Sequence, residues 1–230
     1  MVEIKKYKSR YKLVDELSTN IILMLKQGIG ERDAGSMLLS GGSTPGPLYE
    51  KMSNRNLDWQ KIWFAPTDER WVEPDHVDSN EKMIRNTLLV NNAKTANYIG
   101  LKVDGDSPVS CAPAVEEKLK KIPMPFDVVL LGMGEDGHFA SLFPYLDDTK
   151  KAMNLNGASL CSAIRREGVE HDRVTMSYKA ILSAKNIIVL FYGKTKLAVF
   201  EQAAKKANDQ LPISHLLNQT DVPVTLYWAE

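Results

Sequence analysis

A buried strand and the glycine-rich loop that ends it occupy residues 126–138, Phe126-Asp127-Val128-Val129-Leu130-Leu131-Gly132-Met133-Gly134-Glu135-Asp136-Gly137-His138. The apolar run does not alternate with polar residues, which is typical of a strand covered on both faces in a parallel sheet. The three glycines allow a tight backbone path out of the strand. The pattern therefore predicts Asp136 and His138 at the carboxyl edge of a sheet, with His138 at or near the start of a helix.

The rest of the chain repeats this organisation. Similar apolar runs predict strands at Met37 to Leu39, Ile62 to Ala65, Ile187 to Tyr192 and Val224 to Trp228. Residues at helical spacing lie between them: Leu13, Leu17, Ile21 and Met24, then Val115 and Leu119, then Leu197, Phe200, Ala203 and Ala204. Asp78 followed by Glu81 predicts a capping box at a further helix start. This alternation favours one domain over residues 1–230, a three-layer α/β/α fold with a mainly parallel central sheet.

Composition excludes several classes of protein. The 230 residues are 43% hydrophobic and 25% charged, which argues against a disordered or fibrous chain. Lys plus Arg and Asp plus Glu both number 29, without the basic stripe expected of a nucleic-acid surface. No apolar run approaches the roughly 20 residues of a membrane span, and the first residues lack a signal-peptide pattern. We expect a cytoplasmic protein. Cys111 and Cys161 lack disulfide or zinc-like spacing.

The loop after the first strand, Ser40-Gly41-Gly42-Ser43-Thr44-Pro45, is the first candidate binding site. Ligands of such sheets lie at the carboxyl ends of the strands. Glycine permits close approach of the backbone to a ligand, and free N–H groups at a helix start favour an anion such as phosphate. Ser43 and Thr44 are predicted to cap the following helix. A capped helix after an ordinary glycine turn is the alternative interpretation.

A second loop, Pro66-Thr67-Asp68-Glu69-Arg70-Trp71, places three charges where a buried strand ends. Arg70 is suited to a two-pronged contact with phosphate or carboxylate. The alternative is a local network that ties Arg70 to Asp75 or Asp78. The acidic side chains have two open roles, orienting substrate hydroxyls or positioning a catalytic histidine.

His138 is the candidate general base because an imidazole titrates near neutral pH. A purely structural histidine is the alternative. Arg173, which opens the strand-like Val174-Thr175-Met176, and the segment Gly193-Lys194-Thr195-Lys196 add cations, although an exposed surface lysine is the favoured interpretation of Lys194. None of the four histidines shows metal-site spacing.

These motifs together resemble a known family. Gly41 to Pro45, Thr67 to Arg70 with Asp78-Ser79-Asn80, Leu131 to His138 with Ala140 to Pro144, and Arg173 to Thr175 occur in the order seen in the glucosamine-6-phosphate isomerase/6-phosphogluconolactonase family. Each motif is weak alone, and the combination, over about residues 36–217, is specific. Within the family the chain is most similar to the lactonases.

The resemblance implies an activity and a site. The lactonases hydrolyse 6-phospho-D-glucono-1,5-lactone to 6-phosphogluconate in the oxidative branch of the pentose phosphate pathway. By this similarity the catalytic residues are His138, Asp68 and Asp136, with His138 activating water and one of the two acids orienting its ring. Substrate-binding residues are Gly42, Ser43, Thr44, Arg70, Arg173 and Lys196. No cofactor and no metal is expected, and the small-molecule substrate is the expected partner, without nucleic acid or membrane, in a monomer or homodimer.

Two other functions remain open. Glucosamine-6-phosphate deaminases share the glycine loop and the Asp-Gly-His segment, but their segment after the histidine carries a glutamate that Phe139 to Pro144 lacks. A sugar-phosphate sensor without catalysis is the second alternative. The chain also departs from many lactonases in one respect, because Gly46 stands where they carry a basic residue.

Overall fold

The predicted alternation of strands and helices is present in the computed structural model, which describes residues 2–165, 167 and 170–230, without the side chain of Cys111. Its strands are β1 (Val2–Tyr7), β2 (Gly35–Leu39), β3 (Ile62–Pro66), β4 (Asp68–Arg70), β5 (Asn97–Tyr98), β6 (Val128–Leu131), β7 (Cys161–Ile164), β8 (Arg173–Met176), β9 (Ile187–Tyr192) and β10 (Val224–Ala229). Its α-helices are α1 (Arg10–Arg32), α2 (Gly46–Ser53), α3 (Asn80–Thr87), α4 (Pro108–Leu119), α5 (Asp147–Ala152), α6 (Tyr178–Leu182), α7 (Lys194–Ala203) and α8 (Ile213–Asn218).

The central sheet confirms the predicted fold class. Its strand order is β1-β10-β9-β6-β2-β3-β5, and every neighbouring pair is parallel. Successive side chains of β6 face opposite layers: Val129 and Leu131 pack in one apolar cluster, Val128 and Leu130 in the other. Both faces of the sheet are therefore covered, which explains why the strands read as unbroken apolar runs.

Helices supply the two outer layers. On one face α1 buries Leu13, Leu17 and Ile21 completely. On the other face α4 contributes Val115 and α7 contributes Phe200. The helical spacing therefore identifies buried residues of α1, α4 and α7. Three members of the predicted apolar faces lie outside the core: Met24 and Leu197 are only partly buried, and Ala204 is exposed beyond the end of α7.

A small antiparallel sheet, β4-β8-β7, lies beside the central one. The sequence predicts the strand at Val174 to Met176 but indicates a loop where β4 lies. Three residues are enough for β4 because β8 pairs with it, and the pairing sets Arg70 opposite Arg173. This sheet brings the second candidate loop and Arg173 together, although about a hundred residues of chain separate them.

The sheet has a switch point between β2 and β6. β2 leads to its neighbour β3 on one side, whereas β6 leads to its neighbour β9 on the other. In α/β sheets ligands bind in the crevice that such a reversal opens beyond the carboxyl ends of the strands. The loops that begin at Ser40 and Gly132 flank this crevice.

None of the described helices is both long enough and apolar enough to cross a lipid bilayer. Cys161 is buried, and burial raises the pKa of its thiol to about 12. Its thiol is therefore unreactive at neutral pH. The side chain of Cys111 lies outside the described residues.

Candidate active site

A cavity of about 310 Å³ opens at the switch point. This volume is in the range of small-molecule sites. The cavity wall consists of residues 40–45, Thr67, Asp68, Arg70, Asn80, Gly132, Met133, Gly134, His138, Ala140, Leu190 and Lys196. All three predicted loops contribute to it.

The two glycines of the first loop have separate roles. Gly42 adopts a φ of 84°, in the left-handed region that favours glycine. Gly41 lies directly against the side chain of Asn80, and any Cβ there would collide with the amide. The loop therefore passes close to α3 and turns sharply into the cavity wall.

The predicted capping of α2 by Ser43 and Thr44 is wrong. Pro45 occupies the N-cap position of α2, and no side chain caps this helix. A capping hydroxyl must lie on the N-cap residue itself. Ser43 and Thr44 precede that position and line the cavity instead, so their hydroxyls are available to a ligand.

His138 is held by Asp136. Nδ1 of the ring lies 2.5 Å from Oδ1 of Asp136, and the His138 backbone N–H donates to the same oxygen at 3.2 Å. A ring whose Nδ1–H donates to a carboxylate keeps a lone pair on Nε2. Within the described residues Nε2 has no hydrogen bond, and His138 lines the cavity. The contacts with Asp136 fix the orientation of the ring and leave Nε2 without a described partner at the cavity.

The loop around His138 is shaped by glycine. Gly134 donates its N–H to the His138 carbonyl at 2.9 Å, and a Cβ on Gly134 would collide with the His138 ring and the Asp136 carboxylate. Gly137 adopts a φ of 75°. The next helix, α5, begins only at Asp147, so the predicted position of His138 near a helix start is wrong: residues 132–146 form turns and irregular backbone around the histidine.

The pKa of Asp136 is lowered. Partial burial, the largest single influence, raises the pKa, but the charge of His138 and the hydrogen bonds from its ring and backbone outweigh it. The ionised carboxylate is therefore favoured, which is the form that accepts a hydrogen bond from Nδ1–H. The ring of Phe143 packs at 4.6 Å between centroids and restricts the imidazole from another side.

Asp68 has a different partner. Its Oδ2 accepts a hydrogen bond from the hydroxyl of Ser141 at 2.5 Å, and its Oδ1 lies 3.3 Å from the hydroxyl of Thr67. Asp68 lines the cavity, whereas Asp136 does not. Of the two acids, Asp136 is thus the one in contact with His138.

The buried carboxylate of Glu69 organises the second loop. It accepts hydrogen bonds from the backbone N–H groups of Arg70, Asn80 and Glu81 at 2.7 to 2.8 Å and from the Ser79 hydroxyl at 3.2 Å. Burial raises the pKa of Glu69, while the three backbone hydrogen bonds act in the opposite direction. The carboxylate joins β4 to the first turn of α3.

The predicted capping box at Asp78 is wrong by one residue. Ser79 is the N-cap of α3, and its hydroxyl accepts a hydrogen bond from the Lys82 N–H at 3.1 Å. The Glu81 carboxylate bonds to Arg85 and not back to the cap. Glu69 takes the place of the missing capping-box acid, because it accepts from N–H groups of the same turn.

Cations lie at the cavity wall and behind it. Arg70 and Lys196 line the cavity, and Arg70 is anchored by donating to the Asp78 carbonyl. Arg173 lies outside the wall, with Nη1 buried and, among the described residues, without a hydrogen-bond partner. Burial, followed by repulsion from Arg70, lowers the pKa of Arg173. Lys194 is exposed and pairs with Glu230 at 2.5 Å, in agreement with the surface interpretation.

The structure therefore brings most of the predicted site together. Gly42, Ser43, Thr44, Asp68, Arg70, His138 and Lys196 line one cavity, Asp136 supports His138, and Arg173 lies outside the wall. Sequence reasoning missed Asn80 as a wall residue, although its motif was recognised. It also missed Ser141, whose contact with Asp68 joins segments 73 residues apart.

Metal-ligating side chains are sparse in the wall. Among the described residues, the group of three that lie close enough to hold a metal ion is His76, Asp78 and His171. None of the three lines the cavity.

The fold and the site together define a class of α/β/α proteins with a small-molecule cavity at a sheet switch point, beside a histidine that an aspartate holds in place. Within this class, the family model of glucosamine-6-phosphate isomerases/6-phosphogluconolactonase matches residues 8–228, and the chain belongs to that family.

Individual relatives agree with this assignment. The chain is 33% identical over 213 residues to a 6-phosphogluconolactonase of Pseudomonas aeruginosa, a match that covers 92% of the chain and 88% of the relative. It is 36% identical over 211 residues to a 6-phosphogluconolactonase of Xylella fastidiosa, covering 90% and 87%. The crystal structure of a 6-phosphogluconolactonase from Shewanella baltica superposes with a TM-score of 0.96 at 34% identity, covering 100% and 98%.

Proposed function

We propose that the chain is a carboxylic ester hydrolase that converts 6-phospho-D-glucono-1,5-lactone to 6-phosphogluconate, with His138 as the general base. The names of the relatives support the reaction, which belongs to carbohydrate metabolism in the pentose phosphate pathway. The observation that carries the role of His138 is the 2.5 Å contact between its Nδ1 and Asp136, which leaves Nε2 available at the cavity.

In this mechanism Nε2 of His138 accepts a proton from water as the water oxygen attacks C1 of the lactone. The C1 carbonyl becomes a tetrahedral oxyanion, for which backbone N–H groups of the glycine-rich loop before His138 are the candidate stabilising groups. Collapse of the intermediate breaks the bond between C1 and the ring oxygen. The protonated imidazole then donates its proton to that oxygen, which becomes the C5 hydroxyl of the product and restores neutral His138.

Asp136 acts through His138. Its carboxylate keeps the Nδ1–H tautomer and stabilises the imidazolium that forms during attack. Asp68 lines the cavity and accepts a hydrogen bond from Ser141, so we assign it the other role that the sequence leaves open, which is to orient a substrate hydroxyl.

The phosphate of the substrate is assigned to the first loop and the two wall cations. Gly42, Ser43 and Thr44 supply backbone and hydroxyl donors, and Arg70 and Lys196 supply positive charge. Arg173 lies behind Arg70, which it faces across the β4–β8 pair. We therefore assign Arg173 a supporting electrostatic role.

The chain is treated as one domain over residues 1–230. β1 and β10, from opposite ends of the described chain, pair in register within the same central sheet, which supports this assignment. A cytoplasmic location, the absence of nucleic-acid partners and a monomeric or homodimeric state remain predictions.

A coupled assay tests the reaction. Glucose-6-phosphate dehydrogenase generates the lactone, and its disappearance is followed with and without the protein against the spontaneous rate. Acceleration by the wild type is expected. Absence of acceleration, with release of ammonia from glucosamine 6-phosphate, would instead support the deaminase. Binding of 6-phosphogluconate without either reaction would support the sensor.

A further inference from the structure

We propose that His76, Asp78 and His171 form a binding site for a divalent transition-metal ion, of which Zn²⁺ is the best match. Oδ2 of Asp78 lies between the two imidazoles, 3.2 Å from Nε2 of His171 and 3.7 Å from Nδ1 of His76. One ligand atom from each of the three residues lies within 4.8 Å of the others. The site is separate from the wall of the candidate active site.

These spacings match those of zinc ligands. Zinc binds imidazole nitrogen and carboxylate oxygen at about 2.0–2.2 Å in tetrahedral geometry, which sets neighbouring ligand atoms roughly 3.3 Å apart. The oxygen-to-nitrogen distances of 3.2 and 3.7 Å lie on either side of that value. Two imidazoles and one carboxylate are also a donor set that zinc accepts.

One imidazole already presents a lone pair, whereas Nε2 of His171, which donates its N–H to Oδ2 of Asp78 at 3.2 Å, must release its proton when the ion binds. Nδ1 of His76 lies 3.1 Å from the Asp78 backbone N–H, so it accepts that hydrogen bond and carries a lone pair. The metal would replace this hydrogen bond. The two imidazole rings stand edge to face at 82°, with centroids 5.4 Å apart, so they converge without stacking.

The site is also accessible. The side chains of His76 and Asp78 are 41% and 45% exposed, and that of His171 is 18% exposed. An ion from solution can therefore reach the three ligands. Because the protein supplies only three among its described residues, a water molecule would complete the tetrahedron.

The three ligands come from two segments that the fold already holds together. His76 and Asp78 lie between β4 and α3, and His171 lies just before β8. The backbone N–H of Trp71 donates to the carbonyl of Asp172 at 2.8 Å, and Asp172 directly follows His171 in the chain. The ligands are thus largely preorganised, which reduces the ordering cost of binding.

Binding of the ion would clamp the segment that leads to the active site. The Asp78 carbonyl accepts a hydrogen bond from Arg70, a residue of the cavity wall. A metal on the Asp78 carboxylate would restrict the residue that anchors Arg70. The metal site itself does not depend on the proposed reaction, because its test measures binding.

Isothermal titration of metal-stripped protein with zinc chloride tests the site. We expect one saturable ion per chain. His76→Gln or His171→Gln should each weaken binding by more than the roughly 10- to 100-fold that follows loss of a residue merely supporting a metal ligand. His215→Gln is the matched control, since Nε2 of His215 contacts Asp209 at 2.8 Å in a two-member pair. This control should bind zinc as the wild type does.

A second readout separates loss of a ligand from loss of fold. Co²⁺ should give the intense visible absorption of a tetrahedral site in the wild type, and Asp78→Asn, which keeps the side-chain size, should weaken it while the metal-free melting temperature stays close to that of the wild type. Absence of a stoichiometric site in the wild type would overturn the proposal. Equal zinc affinity in His76→Gln, His171→Gln and the wild type would also overturn it.

Discussion

Replacement of Asp136 by Asn tests directly whether this carboxylate supports His138 as the proposed general base. The exchange keeps the size of the side chain but removes its charge and offers an N–H donor to Nδ1 of His138. A donor there favours the opposite tautomer, with the proton on Nε2, and the base loses its lone pair toward the cavity. The 2.5 Å contact between Nδ1 and Oδ1 makes this a direct effect.

The size of the effect follows from the contact. A hydrogen bond to a charged group contributes about 1.5–3 kcal/mol. At about 1.36 kcal/mol per tenfold change in rate, its loss in the transition state predicts a roughly 10- to 150-fold drop in kcat/KM. In a Ser-His-Asp triad with a buried aspartate, exchange of that aspartate for asparagine lowers kcat about 10⁴-fold. This value is the upper limit for the rate loss expected at the partly exposed Asp136.

The coupled lactone assay measures this drop against a matched control. Asp209→Asn alters another close histidine–aspartate pair, with His215, and neither member of that pair lines the cavity. We expect this control to retain wild-type kcat/KM. A twofold change in kcat/KM corresponds to less free energy than a hydrogen bond to a charged group contributes. A folded Asp136→Asn variant whose kcat/KM stays within about twofold of the wild-type value would therefore refute the assigned role of Asp136.

The same substitution has a signature in stability. The folded-state pKa of Asp136 lies below its usual value of 3.8, so the carboxylate contributes stability that is fully present above that pH. This contribution is lost as the pH falls through the lowered pKa. The melting temperature of Asp136→Asn should therefore lie below that of the wild type at pH 7, and the difference should shrink below about pH 3.8. A difference that grows on acidification would contradict the sign of the shift.

Three further predictions concern the cavity wall and its support. Lys196→Ala should raise KM for the lactone by about tenfold, because the substrate loses one charge-assisted contact. Lys194→Ala is the control and should leave KM unchanged. Equal KM values in the two variants would show that Lys196 does not contact the phosphate. Gly134→Ala should lower kcat strongly, because the new Cβ would collide with the His138 ring. Gly46→Ala is the control and should keep the wild-type kcat, because no atom lies within 4 Å of its new Cβ. Equal kcat values in the two variants would show that the His138 ring tolerates a side chain at position 134. Glu69→Gln should lower the free energy of unfolding in urea by about 1–3 kcal/mol, because one carboxylate oxygen becomes an NH2 donor and the buried N–H group that faces it loses its acceptor. An unchanged denaturation midpoint would count against its role at α3.

The central sheet is predictable from the sequence because buried parallel strands leave an unambiguous pattern. Val128 to Leu131 and Ile187 to Tyr192 are apolar without interruption since both faces of the sheet are covered. The strand β4 has no such pattern. It contains three charged residues and exists because β8 pairs with it, which is a tertiary contact that local sequence does not encode.

The sequence predicts which residues form the candidate site better than it predicts how those residues are arranged. Glycine spacing identifies the loops at Gly42 and His138, because glycine is favoured where φ is positive. The choice between Asp68 and Asp136 as the partner of His138 needs distances. Asp68 is bound to Ser141, a contact across 73 residues that no local spacing reveals.

Helix starts show the same limit. Asp78 and Glu81 fit a capping box by spacing, yet Ser79 caps α3 and the distant Glu69 supplies the second acceptor. The Glu69 carboxylate on β4 accepts from the N–H groups of Asn80 and Glu81 in the first turn of α3, so the capping box that the spacing of Asp78 and Glu81 predicts does not form. Similarly, the sequence places Arg173 correctly at a strand start, but this residue lies behind Arg70 and not in the wall.

The most direct test of the central claim is the rate of lactone hydrolysis by His138→Ala compared with the wild type and with His215→Ala. General-base catalysis is typically worth about 10²- to 10⁴-fold. We expect His138→Ala to lose kcat by that factor while keeping the wild-type circular dichroism spectrum, and His215→Ala to retain full kcat. Full activity in folded His138→Ala would contradict the assignment of His138 as the base.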